Sequence, residues 1–177
     1  MPLTKIKSLG ITDGTITSAD LAAGVGGKVL QVVSTTKTDT FATNPSSSWI
    51  DVTGLSVSIT PSSSSNKVLI QISISGSGVT GTNIAHFRLV RGSTPIYAGD
   101  TAGNRPTGFA ACIDSDGNAT EHVSGVFLDS PSTTSSTTYK IQTYSNNTVY
   151  VNRSSTDINV TERNRSASTI TVMEIAG

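Results

Sequence analysis

A chain of 177 residues has room for one domain with a hydrophobic core plus an appendage, but not for two full domains. Only 35% of its residues are hydrophobic, 5% aromatic and 14% charged, so small polar residues fill much of the rest and solubilise the surface through hydroxyls and amides. The 12 Lys and Arg balance the 12 Asp and Glu, for a formal net charge of +0, and no basic run is present to neutralise a row of phosphates, which argues against nucleic acid as a partner.

Residues 1–27 carry isolated apolar side chains at Ile6, Leu9, Ile11, Ile16, Leu21 and Val25, interrupted by Asp13-Gly14 and by Gly24 to Gly27. Alone they cannot bury those side chains, so the segment is expected to dock on a neighbouring subunit or a larger assembly. Ser18 is placed to cap one helical turn over 19–23 that Gly24 closes, and a turn so short needs a partner to persist. Met1–Gly10 lacks the apolar centre of a secretory signal, and no stretch approaches the ~18 apolar residues of a membrane span. Synthesis in a cytoplasm without membrane insertion is the expectation. The five Asn-x-Ser/Thr triplets, at Asn118, Asn146, Asn152, Asn159 and Asn164, are then expected to stay unmodified.

From Lys28 onward the pattern has period two, in short runs separated by Gly, Pro, Asn and Ser. Val29–Val33 comes first, then Trp49–Val52 and Leu55–Thr60, the latter with Leu55, Val57 and Ile59 on one face. Pro61 to Asn66 marks a turn. Val68, Ile70, Ile72 and Ile74 make the strongest strand, half buried by its alternation. Ile84–Arg91 turns Phe87 and Leu89 inward and His86 and Arg88 outward. Gly108–Ile113 and Thr120–Leu128 flank an Asp-Gly turn at 114–118 that reads as a hairpin tip. Thr138–Tyr144 and Thr148–Asn152 flank Ser145-Asn146-Asn147, which reads as a hairpin loop. Ser168–Ile175 is β-branched, as suits a strand in the middle of a sheet. The expectation is an all-β antiparallel β-sandwich or jelly roll of eight to ten strands over 28–177, preceded by a short irregular docking segment over 1–27.

Little in the chain points to chemistry. Cys112 has no partner for a disulfide and sits among Phe109, Ala110, Ala111 and Ile113, as a core thiol would. His86 and His122 fall on separate strands with no carboxylate at ligand spacing. Asp114, Asp116 and Asn118 imitate the start of a calcium loop, but Gly125 stands where the bidentate Glu belongs, and strands flank it in place of helices. No Gly-x-Ser-x-Gly elbow is present. The loop Gly99–Arg105 lacks the Lys-Ser/Thr of a phosphate cradle. The carboxylates, among them Asp129 and Glu174, show no spacing that pairs two for glycoside hydrolysis. No catalytic residue, cofactor or metal is therefore expected. Tyr97, Arg105, Tyr144, Tyr150 and Arg153 fall in or beside predicted loops and are the candidates for surface recognition, since aromatic and Arg groups offer large contact area with a polar handle. The alternative is that the tyrosines pack on their neighbours.

Two groups of residues carry a resemblance. Ile11-Thr-Asp-Gly-Thr-Ile-Thr-Ser-Ala-Asp-Leu-Ala-Ala-Gly24, followed by Gly26-Gly-Lys-Val-Leu-Gln-Val-Val33, resembles the opening of tail-fibre-like virion proteins of phages of aquatic bacteria, cyanophage-type included. Trp49 to Pro61, Asn66 to Ile70, Phe87 to Gly92 and Ser168 to Ala176 are similar to later parts of the same group. The resemblance implies a homotrimer on the virion surface, made in the host cytoplasm. Its residues 1–27 would attach to other virion proteins, of tail or capsid, and assist trimerisation through Ile6, Leu9, Ile11, Ile16 and Leu21. It also implies a jelly-roll head like those of tumour-necrosis-factor-like trimers, exposing loop tips to a host glycan or protein. No extended shaft separates segment from head, which brings capsid cement or decoration into view as the alternative. A polysaccharide-cleaving spike is the third reading.

Overall fold

The computed structural model describes residues 28–78, 83–113 and 116–177. The expected docking segment 1–27, with Ile6, Leu9, Ile11, Ile16, Leu21 and the turn at 19–23, lies outside the described residues, as do Asp114 and Ser115. The described chain is all β, without a helix. Its strands are β1 (Val29–Lys37), β2 (Phe41–Thr43), β3 (Ile50–Ile59), β4 (Lys67–Gly78), β5 (Ile84–Arg91) and β6 (Thr94–Tyr97). There follow β7 (Ala110–Ile113), β8 (Glu121–Asp129), β9 (Thr137–Tyr144), β10 (Val149–Val151) and β11 (Ser168–Ile175).

All pairings are antiparallel and build two sheets. Sheet A runs β1-β11-β4-β8, with β10 continuing the column of β11 and β2 continuing that of β1. Sheet B runs β3-β9-β5, and β6 and β7 share the far edge of β5. Counted as columns in chain order, the first pairs with the last, the second with the seventh, the third with the sixth and the fourth with the fifth. That is the wrapping of a jelly roll.

Alternation does the building. On β4, Val68, Ile70, Ile72 and Ile74 are at most 3% exposed while Leu69, Gln71 and Ser73 face outward, because successive side chains of a strand take opposite faces. Leu55, Val57 and Ile59, Phe87 and Leu89, Tyr139 and Ile141, and Ile170 and Val172 complete the core between the sheets. Each of the larger ones contributes about 1.5–3 kcal/mol by leaving water. Cys112 is buried among them.

Three local expectations need correction. Ser145-Asn146-Asn147 is not a hairpin loop, because β9 pairs with β3 and β5 in sheet B whereas β10 pairs with β2 and β4 in sheet A. The 114–118 turn likewise leads from β7 in sheet B to β8 in sheet A. Both connections are corners between layers; the hairpin among the described residues is β5–β6, turning at Gly92 with φ +59°. The runs 49–52 and 55–60 are one strand, carried across Thr53-Gly54 by a bulge between Asp51 and Ser56, with Gly54 at φ +86°, a conformation that costs glycine little.

Buried polar groups tie the sandwich. Glu174, 1% exposed, accepts hydrogen bonds from Gln31 Nε2, the Ser62 amide and hydroxyl, and Asn66 Nδ2, all at 2.6–2.7 Å. Burial alone pushes its carboxyl upward, but bonds from Asn66, Gln31 and Ser62 outweigh that and hold it at about 2. Asp129 on sheet A takes Arg91 Nη1 on both oxygens at 2.8 Å and Tyr139 Oη at 2.7 Å, both from sheet B. Asn152, fully buried with φ +64°, donates to the carbonyls of Lys37 and Asp39 and accepts from Ser168 Oγ. It sits where the column passes from β10 toward β11, and its amide is wholly engaged.

Candidate functional site

The five residues expected to recognise a surface do not converge. Tyr97 lies in a stack of rings, 5.2 Å from Phe109 and 5.1 Å from Phe127 between centroids, where it closes the gap between the free edges of the two sheets. Tyr150 points outward from sheet A, since Val149 and Val151 beside it face the core. Arg153 lies over its ring at 4.3 Å and also pairs with Asp157. Tyr144 is on the opposite layer, outward from sheet B. Arg105 is exposed in the β6–β7 connection, next to Asn104 and Pro106, which share a cleft with Tyr144.

Around Tyr144 the outer face of sheet B carries a built constellation. Register sets His86 opposite Tyr144, and Arg88 and Asp51 on either side of Gln142. The Trp49 ring is 5.4 Å from Tyr144 at 46°, and His86 meets Tyr144 edge-on at 6.0 Å. Arg88 lies over the Trp49 ring at 4.2 Å and donates through Nε and Nη2 to Gln142 Oε1. Gln142 Nε2 and Lys140 Nζ donate to Asp51. Burial pushes Asp51 upward, but the bonds from Lys140 and Gln142 prevail and its carboxyl titrates below the ordinary range. Burial lowers His86, which keeps the ring neutral near pH 7, able to donate through one nitrogen and accept through the other. These groups hold one another, so the aromatic platform has a fixed shape.

Beside that platform is an open cleft of about 220 Å³. It is lined by Asn83, Ile84 and His86 at the start of β5, Asn104 and Pro106 of the β6–β7 connection, and Tyr144 with Ser145 and Asn146 after it. Sequence reasoning selected Tyr144 and placed His86 and Arg88 outward. It missed Trp49, Asn104 and Asn146, because only the register of β3, β9 and β5 and the return of the β6–β7 connection bring them together. That return is fixed by the Gly99 amide on the Gly108 carbonyl and the Phe109 amide on the Phe87 carbonyl.

The outer face of sheet A differs in kind. Its registers align three rows across four strands: Val32, Met173, Leu69, Leu128; Ser34, Thr171, Gln71, Val126; and Thr36, Thr169, Ser73, Ser124. None of these positions is charged. Of the nine exposed large hydrophobics among the described residues, five sit on this sheet, Val29 at 48%, Leu30 at 49%, Val32 at 57%, Val126 at 60% and Leu128 at 48%.

Several groups that chemistry could use are engaged elsewhere. Among the described residues no three His, Cys, Asp or Glu gather as metal ligands. Of the expected turn, Asp116 Oδ1 caps the Asn118 amide, and Asn118 Oδ1 accepts from Arg163 Nη2, so a guanidinium takes the oxygen that a calcium loop would offer to its ion. Glu174 and Asp129 do share one inner row, on either side of Val68. Both are saturated by the bonds given above, and Glu174 is driven down, opposite to the raised carboxyl that a general acid requires. No protein-family model and no curated protein matches this chain.

Proposed function

We propose that this chain is a non-enzymatic structural protein of a phage virion, a homotrimeric appendage of tail-fibre type that attaches through its N-terminal segment and presents its β-head to the host surface. The observation that carries the reading is the outer face of sheet A. A contiguous neutral face with half-exposed Val and Leu marks a contact surface. Close to a threefold axis a side chain meets copies of itself, so a charge there faces like charge; a face with three uncharged rows avoids that penalty at the axis and gains apolar burial. The virion setting is supported by the likeness of Ile11–Gly24 and the later runs to tail-fibre-like proteins.

The test has two parts. Sedimentation equilibrium of the full chain is expected to give three times the protomer mass at micromolar concentration, and Val32→Lys with Leu128→Lys is expected to give a monomer with an unchanged far-ultraviolet spectrum. A wild-type monomer would refute the trimer. Quantitative mass spectrometry of purified particles is expected to find few copies, at the tail. Hundreds of copies over the head would replace attachment with shell stabilisation, the capsid-decoration reading.

A further inference from the structure

We infer that the cleft beside Tyr144 binds an uncharged saccharide unit; the inference rests on the attachment reading for its biological setting, but its chemistry stands on the cleft alone. Sheet B is the layer left facing outward when sheet A meets other copies, so an assembled trimer leaves the cleft open.

Three features select the ligand. The first is the ring of Tyr144, partly buried and held between Trp49 at 5.4 Å and His86 at 6.0 Å. A rigid aromatic face offers the C–H side of a pyranose a flat apolar contact at little entropic cost. The second is the set of polar groups around it. Asn83, Asn104 and Asn146 border the cleft, and a carboxamide carries both donors and acceptors, as a vicinal pair of sugar hydroxyls requires. Asn146 uses its carbonyl oxygen for Ser47 Oγ at 2.8 Å, which orients its NH₂ group. His86, neutral near pH 7, adds one donor and one acceptor. The third is the lining itself: among the described residues that form it there is no Asp, Glu, Lys or Arg, the exposed Arg105 standing beside it between Asn104 and Pro106, so the lining has no counter-charge of its own for a phosphate, a uronate or a sialate. Arg88, the nearest cation of the platform, is engaged by Gln142 and Trp49.

Size agrees. About 220 Å³ falls below the roughly 300–1,000 Å³ of clefts that enclose a drug-sized ligand. It suits one ring unit, with the rest of a glycan running out over the open side. A single such unit binds weakly, and three linked copies raise the apparent affinity by avidity without new contacts.

The experiment is saturation-transfer NMR on the full chain with a panel of free sugars: glucose, galactose, mannose, rhamnose and their N-acetylamino counterparts, beside glucuronate and sialate. We expect transfer to at least one neutral sugar, unchanged between low and high salt, since no ion pair is made. Tyr144→Ala and, separately, Asn104→Ala are expected to weaken it by at least about tenfold; Asn104 is exposed, so that variant keeps the fold if Tyr144→Ala does not. Transfer to no neutral sugar, to the anionic sugars alone, or transfer undiminished in Asn104→Ala overturns the inference. Because it is read on isolated protein, its failure leaves the particle-location test above untouched, and a head location on particles leaves the sugar result standing.

Discussion

Glu174 offers the sharpest test of how the sandwich is held. Its carboxylate is 1% exposed and accepts four hydrogen bonds from neutral donors on β1 and the β3–β4 connection. The bonds carry it from an ordinary 4.5 to about 2, and at about 1.4 kcal/mol per pH unit the difference is worth roughly 3 kcal/mol. Because the folded value is depressed, that stability is present above about pH 4.5 and is lost as pH falls toward 2. Glu174→Gln keeps the shape but puts an NH₂ group against Gln31 Nε2, which already donates to the Thr60 carbonyl at 2.7 Å. We expect the variant to be less stable by about 3 kcal/mol at pH 7, with the two stability curves converging as pH drops through the window. Urea unfolding at a series of pH values, followed by the fluorescence of Trp49, the one tryptophan in the chain, measures this at fixed protein concentration. A gap between the variants that stays constant from pH 6 to 2.5 would refute the assignment of the charged, hydrogen-bonded form as the stabilising one.

Three further outcomes follow from the same reasoning. Tyr139→Phe removes one bond to a buried carboxylate and is expected to cost about 1.5 kcal/mol, whereas Asp129→Asn weakens both partners and costs more, about 2–3 kcal/mol; equal losses in chemical denaturation would contradict Asp129 as the hub. Asn152→Ala leaves the Lys37 and Asp39 carbonyls without their donor and forces a β-carbon residue to φ +64°, so it should be worse than Asn152→Gly by about 1 kcal/mol in the same assay. In Gly125→Ala the new methyl stands 2.9 Å from the Tyr97 ring and 3.2 Å from Phe109, and calorimetry should show a loss of about 1–3 kcal/mol; a melting temperature equal to wild type would show that the ring stack yields freely.

Much of the sandwich is legible in the chain because alternation marks faces directly. Val68 to Ile74, Leu55 to Ile59 and Phe87 with Leu89 are read from the pattern and are the core. Alternation does not say which strand lies beside which, so two connections that look like hairpin tips are corners between layers. β2 is too short to show a period, and β6 contains Pro95, which lowers any strand reading. The polar ties are also hidden: Glu174 follows Met173 in a β-branched run, and only the packing of the 61–66 turn against β11 reveals why a carboxylate is there. For the candidate site, Tyr144 stands out as an aromatic near a loop, but its partners come from positions 49, 86, 104 and 146, far apart in sequence and joined by strand register.

The passage from β10 to β11 has a use in engineering. The chain leaves sheet A after Val151 and re-enters the same column at Ser168, and the neck is closed by the Ser166 amide on the Asn152 carbonyl at 3.2 Å. Just outside it, Arg153 and Arg165 grip Asp157 from both sides. Lengthening the segment between Asp157 and Arg163 therefore breaks no ladder bond, and loop length itself adds only about 0.6 kcal/mol per doubling. A peptide grafted there would be carried on a rigid stem, which makes the sandwich a display scaffold; in the trimer proposed above it would be presented three times.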